Sequence, residues 1–216
     1  MDRLKLGVLI SGRGSNLQAL IDACAEPDFP AEIALVLSNR SDAAGLARAR
    51  AVGIPTAVIP HRDFETKPDF ERAMTAALEE AGVALVCLAG FMRLVSAWFV
   101  ERWHDRLVNI HPSLLPAFPG LDTHRRAIEA GVRFHGCTVH FVRAAMDTGP
   151  IIVQAAVPVR ADDTAESLAA RVLAQEHRCY PLAVRLIAEG KARVQDERVV
   201  VDRGRPAWEA MLNPPA

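Results

Sequence analysis

Residues 4–16 read LKLGVLISGRGSN: an apolar run passes into a loop with glycine at 12 and 14, and the Ala-rich segment SNLQALIDACA follows at 15–25 with helical spacing. Strand, glycine turn and helix in that order open a βαβ unit. The rhythm repeats. Further apolar runs stand at 33–38 (IALVLS), 56–60 (TAVIP), 84–90 (ALVCLAG) and 107–110 (LVNI), each parted from the next by a stretch that can hold a helix, such as AAGLARARAVG. The pattern predicts an α/β fold, a Rossmann-like, mostly parallel twisted sheet with helices on both faces. Its ligand crevice then lies at the carboxyl ends of the strands.

Beyond residue 111 the pattern changes. HGCTVHFV (135–142) and PIIVQAAVPV (150–159) are two strand-like runs joined by a short turn, which predicts an antiparallel hairpin extending the sheet toward the C-terminal side. Residues 164–189 predict a long helix with Thr164 as N-cap and Ser167 in its first turn, kinked or divided at Pro181. RVQDERVV (193–200) reads as a terminal hairpin bending near Gln195, Asp196 and Glu197, and the tail RPAWEAMLNPPA as a loose surface segment.

Half of the 216 residues are apolar, 24% are charged and the formal net charge is −1. No long basic run is present to neutralise a phosphate backbone, so small molecules rather than nucleic acid are the expected partners. The start MDRLKLGVLI is too short an apolar stretch for a membrane span and lacks a small-residue cleavage site; the expectation is a cytoplasmic protein. Cys24, Cys87, Cys137 and Cys179 form no CxxC pair, which argues for buried free thiols and against a zinc site or a disulfide framework. With no repeat or linker, residues 1–216 are expected to form one domain, as monomer or homodimer, with a nucleotide-binding-like half at 1–110 and a second half at 111–216.

In SGRGSN (11–16) the glycines let the backbone turn tightly with its N–H groups outward, and a helix N-terminus there favours an anion. Gly14, Ser15 and Asn16 are the candidate phosphate contacts, Ser15 and Asn16 also being able to cap the helix. A dinucleotide fingerprint would need glycine where Leu17 stands, so a single phosphate suits the loop better than a pyrophosphate. The glycines serve equally for a tight strand-to-helix turn.

The stretch VNIHPSLLP (108–116) carries the chemistry. Asn109 and His111 stand two apart at a strand end, so both side chains point to one face of the sheet. Asn offers an uncharged donor suited to a developing oxyanion, and His can hold or move a proton near neutral pH. Pro112, Pro116 and Pro119 stiffen the loop beyond, and one of these X-Pro bonds could be cis. Asp147, in the turn-type sequence MDTGP, could reach back and favour the imidazolium, or simply form the turn. His135 and His140 have odd spacing and therefore opposite faces, which disfavours joint metal ligation; His124 could be exposed or line the pocket.

VLISGRGSNLQALIDA, LAGFMRLVS, VNIHPSLLPAFPG, HGCTVHFV, DTGPIIVQ and QEH, spread over residues 8–177, together resemble the phosphoribosylglycinamide formyltransferases of purine biosynthesis. The resemblance implies a formyltransferase fold and transfer of a formyl group from 10-formyltetrahydrofolate, as donor cosubstrate and without a metal, to the glycinamide amine of a ribose-phosphate substrate. Asn109, His111 and Asp147 match the family's catalytic positions, while Gly14, Ser15, Asn16 and Glu176 match positions holding the acceptor. The folate side is implied at Met92, Arg93, Leu94 and Val95, at Asn109, and at Arg143, Ala144, Ala145, Met146 and Asp147. Lys67 stands where similar enzymes carry an arginine facing the folate's glutamate tail, which keeps charge but loses bidentate geometry. Asp122 replaces a residue that is often histidine.

Two other functions compete. A 10-formyltetrahydrofolate hydrolase would share the formyl site, although members of that kind carry an added N-terminal domain and this chain begins at its first strand. An NADP-dependent reductase is suggested by SGRG and by Arg40 after the second strand, against which stands the missing third glycine. A transfer-RNA formyltransferase would need a C-terminal barrel, for which the residues after the long helix are too few.

Overall fold

The computed structural model describes residues 3–202 and Asn213. The chain runs β1 (Leu4–Ile10), α1 (Ser15–Ala25), β2 (Ala31–Ser38), α2 (Ala44–Ala51), β3 (Thr56–Val58), a 3-10 turn (His61–Asp63), α3 (Lys67–Glu80), β4 (Leu85–Leu88), α4 (Ala97–Arg102), β5 (Leu107–His111), α5 (Thr123–Glu129), β6 (Phe134–Phe141), β7 (Ile151–Pro158), α6 (Ala165–Ala188), β8 (Ala192–Gln195) and β9 (Arg198–Val201). Seven strands form one sheet in the order β3-β2-β1-β4-β5-β6-β7. Strands β1 to β5 pair in parallel, while β6 and β7 are antiparallel additions at one edge. The expected α/β architecture and its added hairpin are both present.

Period-two alternation sends successive β1 side chains into different layers. Leu6, Val8 and Ile10 pack with Leu17 and Leu20 of α1 and with Val172, Tyr180 and Val184 of α6. Leu9 faces the other way, into Phe70, Met74 and Leu78 of α3 and Phe99 and Trp103 of α4. Helices on both faces explain why these parallel strands are apolar almost throughout. At Gly7 an added Cβ would lie 2.4 Å from Leu78, so glycine there lets α3 approach the sheet closely.

Of the two outcomes expected at Pro181, division does not occur, and α6 runs from Ala165 to Ala188 as one helix. Proline removes one backbone donor, but Tyr180, Ala183 and Val184 around it are buried in the core, and this packing holds the helix together. Its start is as expected: Thr164 accepts from the Ser167 N–H and the Ser167 side chain accepts from the Thr164 N–H, a reciprocal capping box. The connection between β6 and β7, residues 142–150, is a long loop and not the short turn expected. The terminal hairpin bends at Asp196 and Glu197, both at positive φ. Apart from Asn213, the tail from Arg205 onward lies outside the described residues. Among the described residues, no helix is long and apolar enough to cross a membrane.

Candidate active site

The sheet order places β1 beside β4, with the chain building outward through β2 and β3 on one side and through β5 on the other. Loops after β1 and β4 therefore diverge and leave a crevice at the carboxyl ends. That crevice, about 290 Å³, is lined by the 11–16 loop and by Ala89, Gly90 and Met92.

Gly14 precedes α1 with φ 71°, left-handed backbone that glycine adopts without strain. A Cβ on Gly14 would sit 2.7 Å from Gly45 Cα, and the Gly45 N–H donates to the Gly12 carbonyl at 3.0 Å, so the loop is clamped against the start of α2. Neither Ser15 nor Asn16 caps the helix, contrary to that half of their expected role; no side chain caps α1. Asn16 turns inward instead, and its Nδ2 donates to Glu176 Oε2 at 2.7 Å. Two candidates 160 residues apart in sequence thus meet across α1 and α6. Burial pushes the Glu176 carboxyl above its usual pKa, against the lowering effect of the Asn16 hydrogen bond. The N–H groups of the first helical turn, with no side-chain cap, remain open to an anion.

At the end of β5, Asn109 pairs in register with His140 of β6, and His111 with Thr138. His140 Nδ1 lies 2.9 Å from the Phe141 carbonyl, which can only accept, so Nδ1 carries the proton. Burial lowers the pKa of this imidazole and keeps it neutral. Its Nε2 is then an acceptor facing Asn109 Nδ2 at 3.4 Å, which fixes the Asn109 amide with a second N–H to spare. Sequence reading passed over His140 except as a metal ligand; its signal is the β5–β6 register, which no local spacing reveals.

His111 is buried between two loops. Its Nε2 lies 3.1 Å from the Phe118 carbonyl, and its Nδ1 lies 3.4 Å from Asp147 Oδ1. Asp147 Oδ2 accepts from the Gly120 N–H at 2.7 Å, so one carboxylate joins the 142–150 loop to the 112–122 loop. Asp147 thus reaches back to His111 and, with a φ of 52°, is also a turn residue. The Leu115–Pro116 peptide is cis. Asp122 sits at φ 55° before α5 and pairs with Arg125 in solvent, leaving His111 to Asp147 alone among carboxylates within ion-pair distance in the described residues.

The expected donor side divides. Met92 and Leu94 are exposed, at 72% and 69%, on the loop after β4, with Arg93 and Val95 between and beside them. Ala144, Ala145 and Met146 are exposed on the facing 142–150 loop. Arg143, by contrast, is engaged by Asp105 at 2.8 Å and Glu197 at 2.7 Å. Lys67 is exposed in the first turn of α3, and among the described residues no hydrogen bond or ion pair links it to the other candidates. Arg40, the basis of the reductase reading, is paired in bidentate fashion with Asp42. Among the described residues no group of three or more His, Cys, Asp or Glu side chains is arranged to hold a metal ion.

His135 and His140 occupy separate surroundings. His135 is fully buried, edge-on to Phe118 and His124, with ring centroids at 5.8 and 5.3 Å. Burial, reinforced by His124, pushes its pKa down to about 4 from 6.5. The folded state therefore binds fewer protons than the unfolded chain, and this contribution is fully present above pH 6.5 and lost as the pH falls toward 4. Urea unfolding at pH 7 and pH 4.5 should show a loss of up to about 3 kcal/mol from this group, and His135→Leu should flatten the slope. An unchanged slope in the variant would place the acid sensitivity elsewhere.

A family model described as formyl transferase matches residues 4–184. The phosphoribosylglycinamide formyltransferase of Haemophilus influenzae is 44% identical over 198 residues, covering 92% of this chain and 93% of that protein. The trifunctional purine biosynthetic protein adenosine-3 of Gallus gallus is 49% identical over 193 residues, 89% of this chain but 19% of its own length, so the chain spans about a fifth of such trifunctional relatives. Among solved structures, glycinamide ribonucleotide transformylase 1 from Symbiobacterium toebii superposes with a TM-score of 0.90 at 50% identity, covering 92% of this chain and 94% of that one.

Proposed function

The chain belongs to the formyl transferase family, and from that membership and the site we propose that it transfers the formyl group of 10-formyltetrahydrofolate to the glycinamide amine of 5-phosphoribosylglycinamide. The products are formylglycinamide ribonucleotide and tetrahydrofolate, and the setting is de novo purine biosynthesis. The observation that carries the reading is His111 against Asp147 at the end of β5, with Asn109 two residues before it on the same strand and the uncapped N-terminus of α1 after β1, two strands away in the sheet.

In this reading Gly14, Ser15 and Asn16 hold the acceptor's phosphate, and Glu176, fixed by Asn16, holds the part of the acceptor nearer its amine. Donor contacts come from Met92 to Val95 and from Arg143 to Asp147, with Lys67 toward the outer end of the folate. Both halves thus contribute to both substrates: Met92 to Val95 and Lys67 on the donor side precede residue 111, and Glu176 on the acceptor side follows it. The acceptor amine attacks the formyl carbon, and its carbonyl oxygen becomes an alkoxide. Asn109 offers the N–H that His140 does not use. His111 faces a carboxylate at Nδ1 and a carbonyl at Nε2, so a proton on each nitrogen satisfies both; the Nε2–H, here met by Phe118, is the donor a formyl oxygen would take over. As the tetrahedral adduct collapses, the carbon–nitrogen bond to the folate breaks and the proton released by the amine replaces it on that nitrogen. Asp147 opposes the positive charge of His111 throughout.

Following a labelled formyl group tests the proposal. Label should pass to the phosphoribosyl acceptor and depend on it, because binding the remote phosphate positions the amine, an effect worth several kcal/mol, that is, roughly a thousandfold in kcat/KM on removing the phosphate. Label appearing as formate, at a rate indifferent to acceptor, would instead identify a hydrolase.

A further inference from the structure

Residues 91–96 of the loop between β4 and α4 make no backbone–backbone hydrogen bond at positions 91–95 among the described residues, yet they include the exposed Met92 and Leu94. The stretch is held at its two ends by buried side chains. At the first end the Met92 N–H donates to Ser11 Oγ at 2.8 Å, and the Ser11 hydroxyl donates to Asn39 Oδ1 at 2.6 Å. Ser11 and Asn39 are 6% and 4% exposed, and the Ser11 N–H also donates to the Gly90 carbonyl at 3.1 Å. At the other end Glu71 of α3, 1% exposed, accepts from the Ser96 N–H at 2.7 Å and from the Ser96 hydroxyl. Ser96 Oγ in turn caps α4 by accepting from the Phe99 N–H.

A buried carboxyl that accepts twice from one loop residue, and a buried hydroxyl whose donor and acceptor sides are both used, offset their desolvation only while those bonds are kept, which holds the loop in one shape. The rest of the crevice has separate fastenings: the 11–16 loop is clamped by Gly45 and by the Arg48 side chain, which donates to the Arg13 carbonyl, and Asn16 is tied to Glu176. We infer that Ser11, supported by Asn39, and Glu71 are positioning residues for the formyl donor, stretching the 91–96 loop between two buried anchors so that its backbone and apolar side chains meet the folate in one conformation. This rests on the folate reading of the site given above. Glu71 lies outside the crevice lining, and the Ser11 hydroxyl, though at the crevice edge, is used on both sides by Met92 and Asn39, so each anchor is assigned its effect through the 91–96 loop.

The test uses Ser11→Ala and Glu71→Gln in the full chain. Alanine leaves the Met92 N–H without its acceptor, and glutamine presents an NH₂ to one of two donors on Ser96. With 10-formyl-5,8-dideazafolate as donor, each variant should raise donor KM and the Kd of the same compound by about tenfold, with kcat at saturation within about threefold and acceptor KM unchanged. Amide hydrogen exchange at 91–96 in ligand-free protein should accelerate in both variants, independently of any folate. Unchanged exchange would overturn the anchoring, and an unchanged donor KM, or a KM that rises equally for donor and acceptor, would overturn the positioning. A wild-type chain that does not bind the folate compound, while exchange responds as expected, would remove the functional reading and the anchors' donor role with it.

Discussion

Asn109→Leu should reduce turnover at saturating substrates by about a hundredfold or more, the scale on which a single oxyanion donor contributes. Leucine has the heavy-atom count and branching of asparagine, though its two methyl groups are bulkier than the amide, so the backbone pairing of Asn109 with His140 can stay in place. What is lost is the amide. One of its N–H groups is occupied by His140 Nε2, and the other is the donor assigned to the developing alkoxide. The substitution also leaves His140 Nε2 without its partner, which costs about 1–3 kcal/mol of stability where no water replaces it. Thermal melting therefore has to accompany the kinetics, and His140→Gln supplies a second measure because it disturbs the orientation of Asn109 without removing its donor. Binding of the folate donor should be much less affected than kcat. Turnover within a few-fold of the native chain, in protein shown to be folded, would take Asn109 out of the proposed chemistry.

The parts of this protein that were legible in sequence are those governed by local periodicity. LKLGVLI and the later apolar runs identify strands because a strand buried on both faces has no polar positions, and the glycine loop follows from the need for φ 71° at Gly14. Thr164 and Ser167 announce the start of α6 because capping depends on three-residue spacing. The unread parts depend on register or on contacts distant in sequence. Ser15 and Asn16 are chemically competent caps, but Glu176 offers Asn16 a buried carboxyl acceptor from another helix, and that partner wins. Pro181 should interrupt a helix, yet the burial on either side of it outweighs one missing hydrogen bond. Ser11, Asn39, Glu71 and Ser96 are ordinary polar residues in the sequence; only folding shows that they meet at the two ends of one loop. Arg143 shows the reverse case, a residue matched to the donor side whose guanidinium is engaged by Asp105 and Glu197. A donor's carboxylates would have to compete with those two partners or leave them in place.

Asp147→Asn should also lower kcat by about a hundredfold or more, for a different reason. The substitution preserves shape, and asparagine tolerates the left-handed backbone that Asp147 adopts at φ 52°, so the turn before β7 should survive. The amide oxygen can continue to accept from the Gly120 N–H, now 2.7 Å from Oδ2, and thereby keep the 112–122 loop attached. Its NH₂ then faces His111 Nδ1, where a carboxylate oxygen stood 3.4 Å away. A donor has replaced an acceptor, so Nδ1 must give up its proton, and the negative charge that opposed an imidazolium is gone. His111 keeps its position and loses its ability to present a cationic N–H to the alkoxide. The expected signature is a collapse of kcat with donor and acceptor KM changing far less, since asparagine keeps the shape of this donor contact and removes only its charge. Asp147→Ala should do more damage than Asp147→Asn, because it also frees Gly120 and strains a residue at positive φ. If Asp147→Asn retains near-native kcat while Asp147→Ala loses activity together with thermal stability, Asp147 is a turn and loop fastener only, and the charge on His111 must be supported by the substrate itself.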